Sequence, residues 1–240
     1  MSGALRSPAK FRPALSLGFG KVCGIAPGGI PAHSCDYDNV DPAECAPRLA
    51  AASCPLQNVV FDSVYRYTSR SQFRHLVNGL YYGYKYQCVE FARRWLIHAQ
   101  GITFGDVGMA YEIYDIPHAT RVRGGGVVQW TAHPNGSSTR PVAGSVILWN
   151  EGGEFQWTGH VAIATAVSDT YLRIAEQNVE DCSWQGKDYA RELAVSVDAS
   201  GSYKVRETWG RKGGTIKGWL NVPAGFVAEP IPYSIPFALP

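Results

Sequence analysis

One change in the spacing of apolar residues constrains this chain more than any other feature. Residues 87–100 (QCVEFARRWLIHAQ) carry Val89, Ala92, Trp95, Leu96 and Ala99 at spacings of 3, 3, 1 and 3, which places them on one face of a helix. Glu90 and Arg94 form an i,i+4 pair on the other side, and Gly101 supplies a stop. After residue 140 the pattern becomes that of strands. Val142–Trp149, His160–Val167 and Tyr171–Ala175 are rich in β-branched and aromatic residues. Ser168-Asp169-Thr170 is a short turn that makes the last two a hairpin. Residues 203–209 and 215–220 are further strand candidates. A helix followed by a run of strands is an α+β pattern. The 26 glycines and 15 prolines fit it, because they demand many turns.

The 240 residues suffice for one sizeable core. Residues 1–16 read as a tail, residues 17–34 as a turn-rich entry punctuated by Pro27-Gly28-Gly29, and residues 35–57 as an irregular surface excursion. Residues 224–240 form a proline-rich extension. No apolar run is long enough to span a bilayer. The N-terminus has Arg6, Lys10 and Arg12 but no uninterrupted apolar stretch, which argues against a secretory signal and for a cytoplasmic protein. No acidic residue precedes Asp36, so organelle targeting is the alternative. A formal net charge of +2 without a block of like charges excludes the basic stripe of a nucleic-acid binder.

There are six cysteines: Cys23, Cys35, Cys45, Cys54, Cys88 and Cys182. An even count invites disulfides, but a reducing cytosol favours free thiols. None forms the close Cys-x-x-Cys pairs of zinc sites, so no metal is expected.

Cys88 opens the expected helix. Free backbone N–H groups and the positive end of the helix dipole favour a thiolate there. The competing reading is a small core residue, and position alone leaves the two about even. A cysteine nucleophile needs a base, and imidazole titrates nearest neutrality. His160 stands at a strand start behind Gly159, which lets another segment approach closely. The remaining histidines, His33, His75, His98, His118 and His133, are assigned solvated roles in loops or on helical surface. Glu176 follows the second hairpin strand and falls beside the strand start that carries His160, where a carboxylate can hold the imidazole tautomer. Gln177 and Asn178 offer further polar orienters. Each of the three also has an ordinary reading: a core cysteine, a strand-end histidine, a surface glutamate.

Taken together, Gln87–Leu96 (QCVEFARRWL), Asp106–Ala110 (DVGMA), Pro141–Gly144, Gly152–Phe155, Thr158–Ile163 (TGHVAI) and Ile174–Val179 (IAEQNV) closely resemble one family. It is the amidase domain of the glutathionylspermidine synthetase/amidases, within the CHAP group of cysteine, histidine-dependent amidohydrolases/peptidases. Phe19–Pro31 is similar to that family's N-terminal piece. The resemblance runs from about residue 18 to residue 222, so residues 17–223 are expected to form a CHAP amidase domain. It implies a papain-like fold, with N-terminal helices packed on an antiparallel β-sheet. It also implies hydrolysis of the amide joining glutathione to spermidine, or of a related glutathione–polyamine conjugate, with no cofactor. Cys88 would be the nucleophile, His160 the base and later acid, and Glu176 the orienting member. Gln87, Arg93, the Val107, Gly108, Met109 and Ala110 backbone, and Asn178 would bind the glutathionyl part. The Cys88 N–H, with Gln87 or a neighbouring amide, would stabilise the oxyanion. The chain ends at Pro240, so the synthetase activity of the bifunctional proteins is not expected. Cys182, soon after the EQN segment, is a candidate thiol for trapping an oxidised Cys88. Two other readings differ in substrate or in chemistry: a CHAP peptidoglycan amidase or endopeptidase, and an inactive module that only binds glutathione conjugates.

Overall fold

The computed structural model describes residues 16–36, 73–77 and 79–233. The expected tail other than Ser16, residues 37–57 of the irregular excursion, Cys45, Cys54, and the last seven residues of the extension lie outside them.

The turn-rich entry is a β-hairpin. Strands β1 (Val22–Ala26) and β2 (Ile30–His33) pair antiparallel. Gly29 N–H donates to the Ala26 carbonyl across Pro27-Gly28. Gly28 has φ +88, the left-handed value that the third residue of such a turn requires after a proline. A second hairpin, β3 (Arg74–Val77) and β4 (Leu80–Tyr84), precedes the helix. The expected N-terminal helices are therefore corrected. Among the described residues there is one α-helix, α1 (Cys88–Trp95), and the segments before it are hairpins. Closely spaced glycines and prolines leave residues 17–34 no room for a helical turn.

Helix α1 starts from an extended Gln87, has Glu90 in its first turn and has Arg93 and Arg94 in its last, charges placed to complement the helix dipole. It passes into one π turn, Leu96–Gln100, and stops at Gly101 with φ +72. The irregular turn exposes carbonyls that the chain's end satisfies. Glu229 N–H donates to the Gln100 carbonyl and Ile231 N–H to that of His98. A small sheet follows, made of β5 (Ile102–Thr103), β6 (His118–Arg121) and β7 (Val127–Gln129).

The main sheet has seven antiparallel strands in the order β13-β12-β11-β10-β9-β14-β8. They are β8 (Thr131–Pro134), β9 (Val146–Trp149), β10 (His160–Val167), β11 (Tyr171–Ala175), β12 (Arg191–Val197), β13 (Tyr203–Arg206) and β14 (Ile216–Asn221). Period-2 alternation divides its side chains between two clusters. Val146, Leu148, Val161 and Ile163 pack with Cys88, Phe91, Ala92 and Trp95 of α1. Ile147, Trp149, Ala162, Leu172, Leu193 and Trp219 form the other cluster. Packing of α1 across β10 brings the helix start to the first residue of that strand.

Candidate active site

Cys88 is the first residue of α1 and is 7% exposed. Burial works to raise its thiol pKa. The charge of His160, a hydrogen bond to the His160 ring, and the backbone N–H groups of Val161 and Val89 work the other way and win, so the thiol lies below its ordinary value. The Val89 N–H is one of the orphan donors of the first helical turn, the feature from which sequence argued thiolate character.

His160 opens β10 and is 2% exposed. Phe155 stacks on its ring at 4.9 Å and Trp149 meets it edge-on at 5.0 Å. Gly159 has φ +60, and a Cβ there would lie 2.5 Å from the Trp149 carbonyl oxygen and 3.0 Å from Tyr111 Cβ, so the glycine is what lets the Tyr111 segment close in. His160 Nε2 is 2.7 Å from Glu176 Oε2, which leaves Nδ1 for the sulfur. Burial works to strip the ring of its proton. The Cys88 charge, the Cys88 hydrogen bond and the Glu176 contact outweigh that and raise the imidazole from 6.5 to about 9. The result favours a thiolate–imidazolium pair.

Glu176 follows β11, whose register sets Ile163 opposite Ala175. It is held ionised: burial would raise its pKa, but the Arg191 guanidinium first, then the His160 bond, press it well below the usual carboxylate range. Sequence reasoning missed Arg191 and Glu207. Arg191 opens β12 and grips both oxygens of Glu176, Nε donating to Oε1 and Nη2 to Oε2. Its Nη1 and Nη2 also donate to Glu207, at 2.8 and 3.0 Å. The alternation of Arg191, Leu193 and Val195 pointing inward was the available signal; a charged residue at its head hid it.

A second polar network lies behind the helix. The Glu90–Arg94 pair, expected on the side of the helix away from its apolar face, is fully buried in both partners, with Nε–Oε1 at 2.5 Å. The β1–β2 and β3–β4 hairpins and the chain's end cover the face that the apolar pattern left polar. His75 Nδ1 lies 2.7 Å from Glu90 Oε1, and His98 Nε2 lies 2.8 Å from the Tyr82 hydroxyl. His33 Nδ1 contacts the Gly20 carbonyl at 3.0 Å. These three histidines are therefore structural partners rather than solvated groups. Gln177 ties the network to the site: its Nε2 donates to Glu90 Oε2 and to the Gln87 carbonyl, and its Oε1 accepts from Arg94 and from the His33 N–H.

The residues expected to bind substrate fall into two groups. Gln87 and Asn178 stand together beside Cys88, Asn178 Nδ2 donating to Gln87 Oε1 at 2.8 Å. Asn178 adopts φ +63, a strained conformation that asparagine tolerates better than most residues. Gln87 Nε2 reaches the Cys35 sulfur at 3.5 Å. Arg93 lies on the far side of α1 and is 2% exposed. It donates to the Tyr82 and Gly105 carbonyls and, at 3.4 Å, to Asp106, beneath the Phe104 ring. It thus braces the loop that carries Val107–Ala110. In that loop Val107 N–H donates to Asp106, Gly108 and Met109 N–H to Glu112, and Ala110 N–H to the Thr158 carbonyl, which joins the loop to the His160 turn.

Cys182 lies with Cys23 along the wall formed by Gln177–Asp181. Burial first, then nearby acids, push these thiols up, to about 12 for Cys23 and about 11 for Cys182. Among the described residues no group of three His, Cys, Asp or Glu side chains is placed to hold a metal ion. No helix among them is long and apolar enough to cross a membrane.

A buried cysteine at a helix start, a histidine at a strand start and an ionised glutamate just after the neighbouring strand stand together as a thiol–imidazole–carboxylate site. Residues 79–178, which contain all three, match the CHAP domain. More particularly, the chain is similar to a bifunctional glutathionylspermidine synthetase/amidase. It is 38% identical over 219 residues to that protein of Escherichia coli (strain K12), covering 91% of this chain and 30% of the relative. It is also similar to a trypanothione synthetase and a glutathionylspermidine synthase of Crithidia fasciculata, at 30% and 28% identity over 81% and 87% of this chain. The chain spans about 30% or less of the length of each.

Proposed function

We propose that this protein is a cysteine amidase that cleaves the amide of glutathionylspermidine, or of a related glutathione–polyamine conjugate, to glutathione and the free amine. The observation that carries the reading is the hydrogen-bonded line from Cys88 through His160 to Glu176, closed to bulk water and lying at the head of a helix. The similarity to a bifunctional glutathionylspermidine synthetase/amidase supports this substrate among linear amides.

In this reading the Cys88 thiolate attacks the glycyl carbonyl of the glutathionyl part. The C–S bond forms as the carbonyl pair moves to oxygen. Backbone N–H groups at the start of α1, with the Cys88 N–H foremost, stabilise that oxyanion. The His160 imidazolium then gives its proton to the departing amine nitrogen, and the C–N bond breaks to leave a thioester. His160, now neutral, takes a proton from water as the water attacks the thioester, which restores the thiolate–imidazolium pair and releases glutathione. Glu176 holds the ring and its charge through both steps. Gln87, Asn178 and the Val107–Ala110 backbone, braced by Arg93, bind the glutathionyl part. The protein is read as cytoplasmic, with residues 17–223 as the amidase domain.

The test is release of spermidine from glutathionylspermidine by wild type and by Cys88→Ala, with purified cell walls as a parallel substrate. Turnover by wild type alone supports the reading. Undiminished turnover by the variant, or cleavage of cell walls in place of the conjugate, ends it.

A further inference from the structure

Arg191 lies outside the three residues that touch the reacting atoms, yet four of its hydrogen bonds end on two buried carboxylates. Toward the site, Nε and Nη2 reach the two oxygens of Glu176, the latter at 3.1 Å. Away from it, Nη1 and Nη2 hold Glu207, whose side chain has no exposure. Glu207 is fixed in turn by Trp149 Nε1 at 3.1 Å and by the Trp209 N–H at 2.7 Å. The guanidinium lies 5.8 Å from the Trp209 ring; Trp209 stacks on Phe155, and Phe155 on His160. Ionic contacts on one side and stacked rings on the other thus form a closed circuit from His160 back to itself. A planar fork bound at both ends leaves the Glu176 carboxylate one orientation.

We propose that Arg191, seated between Glu207 and Glu176, is a positioning residue for the amidase reaction: it fixes the direction and the charge of the carboxylate that aims the His160 ring at Cys88. This rests on the assignment of Cys88, His160 and Glu176 to the chemistry. The groups facing the centre come from five elements: Cys88 on α1, His160 on β10, Glu176 after β11, Arg191 on β12 and, behind it, Glu207 after β13. Without Arg191, Glu176 and Glu207 would be two buried carboxylates with no cation between them, and one would take up a proton. A protonated Glu176 no longer favours the imidazolium, so the thiolate–imidazolium pair would be lost on the acid side.

The experiment reads the Cys88 thiolate directly in the full-length protein, as the rate of its alkylation by iodoacetamide against pH, followed on the Cys88 peptide by mass spectrometry. The double variant Arg191→Met/Glu207→Gln removes one charge of each sign and leaves the net charge of the cluster unchanged. The expected result is alkylation about tenfold slower than wild type at about pH 5.5, with the rates converging at neutral pH. Arg191→Lys keeps the charge without the fork; it should retain the wild-type pH profile and lose kcat on the conjugate with KM little changed. A merely structural arginine would lower Tm and leave the alkylation profile in place. A folded double variant with the wild-type profile therefore overturns the proposal. If the double variant does not fold, Arg191→Lys alone decides: an unchanged kcat on the conjugate in the folded variant overturns the proposal. Because iodoacetamide reports the thiol and not the substrate, a wild type that spares glutathionylspermidine but alkylates as expected would remove the substrate assignment and leave the role of Arg191 standing.

Discussion

The fold contains the same three-residue arrangement twice. His75, Glu90 and Arg94 sit behind the helix; His160, Glu176 and Arg191 sit together at one end of the central strands β10, β11 and β12 of the main sheet. In each, a ring nitrogen lies 2.7 Å from a buried glutamate oxygen, and an arginine holds the same carboxylate. The surroundings differ. The first set is enclosed by Gln177, the Pro31 carbonyl and the Tyr233 ring, all of which are structural contacts. In the second, the ring's other side meets the Cys88 sulfur. A His–Glu–Arg cluster is therefore a general solution to burying charge, and only an adjacent nucleophile makes it chemistry. The two sets should separate under mutation, one in rate and the other in stability.

The largest expected effect is on rate. Cys88→Ala should lower spermidine release by about 10⁴-fold or more, and Glu176→Gln by roughly 10²- to 10⁴-fold, measured as kcat on folded protein. The mirrored change, Arg94→Met, leaves Glu90 buried without its main counter-charge. It should cost about 3–5 kcal/mol of stability and lower Tm by roughly 10 °C, as scanning calorimetry would record. If Arg94→Met keeps its Tm, or Glu176→Gln keeps its kcat, the two clusters do not divide as described.

A pH effect of intermediate size sharpens the same contrast. Burial opposes the His160 proton, but the Cys88 charge and bond and then Glu176 hold it to about pH 9, against 6.5 for an ordinary imidazole. The stability that this proton contributes is complete below pH 6.5 and is lost as pH rises through about 9. Over the same rise the ring ceases to be an acid for the leaving amine, so turnover should fall on the alkaline side near pH 9. In Cys88→Ala the ring loses the charge that raises it most, and its midpoint, followed by ¹⁵N NMR of the imidazole, should move down.

How much of this was legible in the sequence depends on whether local pattern or tertiary contact set the outcome. The bounds of β10 and β11 were readable, because their β-branched runs flank the Ser168–Thr170 turn. So was the Gly101 stop, where the backbone itself demands a left-handed residue. The juxtaposition of His160 and Glu176 followed from hairpin geometry alone. Strand β12 was missed although it alternates, since Arg191 heads its inward face. Glu90–Arg94 was read correctly as an i,i+4 pair on the helix's other side, but nothing in a helical repeat tells that other segments bury that side. Two hairpins that were not read as strands, and a chain end read as a simple extension, do so here. Arg191 and Glu207 became visible only when β12 and β13 were placed beside β11, sixteen residues apart in the chain but sharing hydrogen bonds.

The smallest effect is the most discriminating. His75→Gln removes the histidine of the enclosed cluster and keeps a hydrogen-bonding side chain of similar reach beside Glu90. Arg94 and Gln177 still neutralise and hydrogen-bond that carboxylate. The loss should be about 1 kcal/mol of stability, the net worth of one hydrogen bond, and kcat should stay within about twofold of wild type because His75 touches neither Cys88 nor its partners. The corresponding change His160→Gln should abolish turnover while leaving an equally satisfied hydrogen bond to Glu176. Two histidines with the same contact distance to a buried glutamate would then differ by orders of magnitude in rate, and the difference would be assignable to the thiol alone. A large loss of kcat in His75→Gln, at unchanged Tm, would instead mean that the Glu90–Gln177–Gln87 contacts transmit the state of the rear cluster to the helix start, and the division between a structural and a chemical cluster would fail.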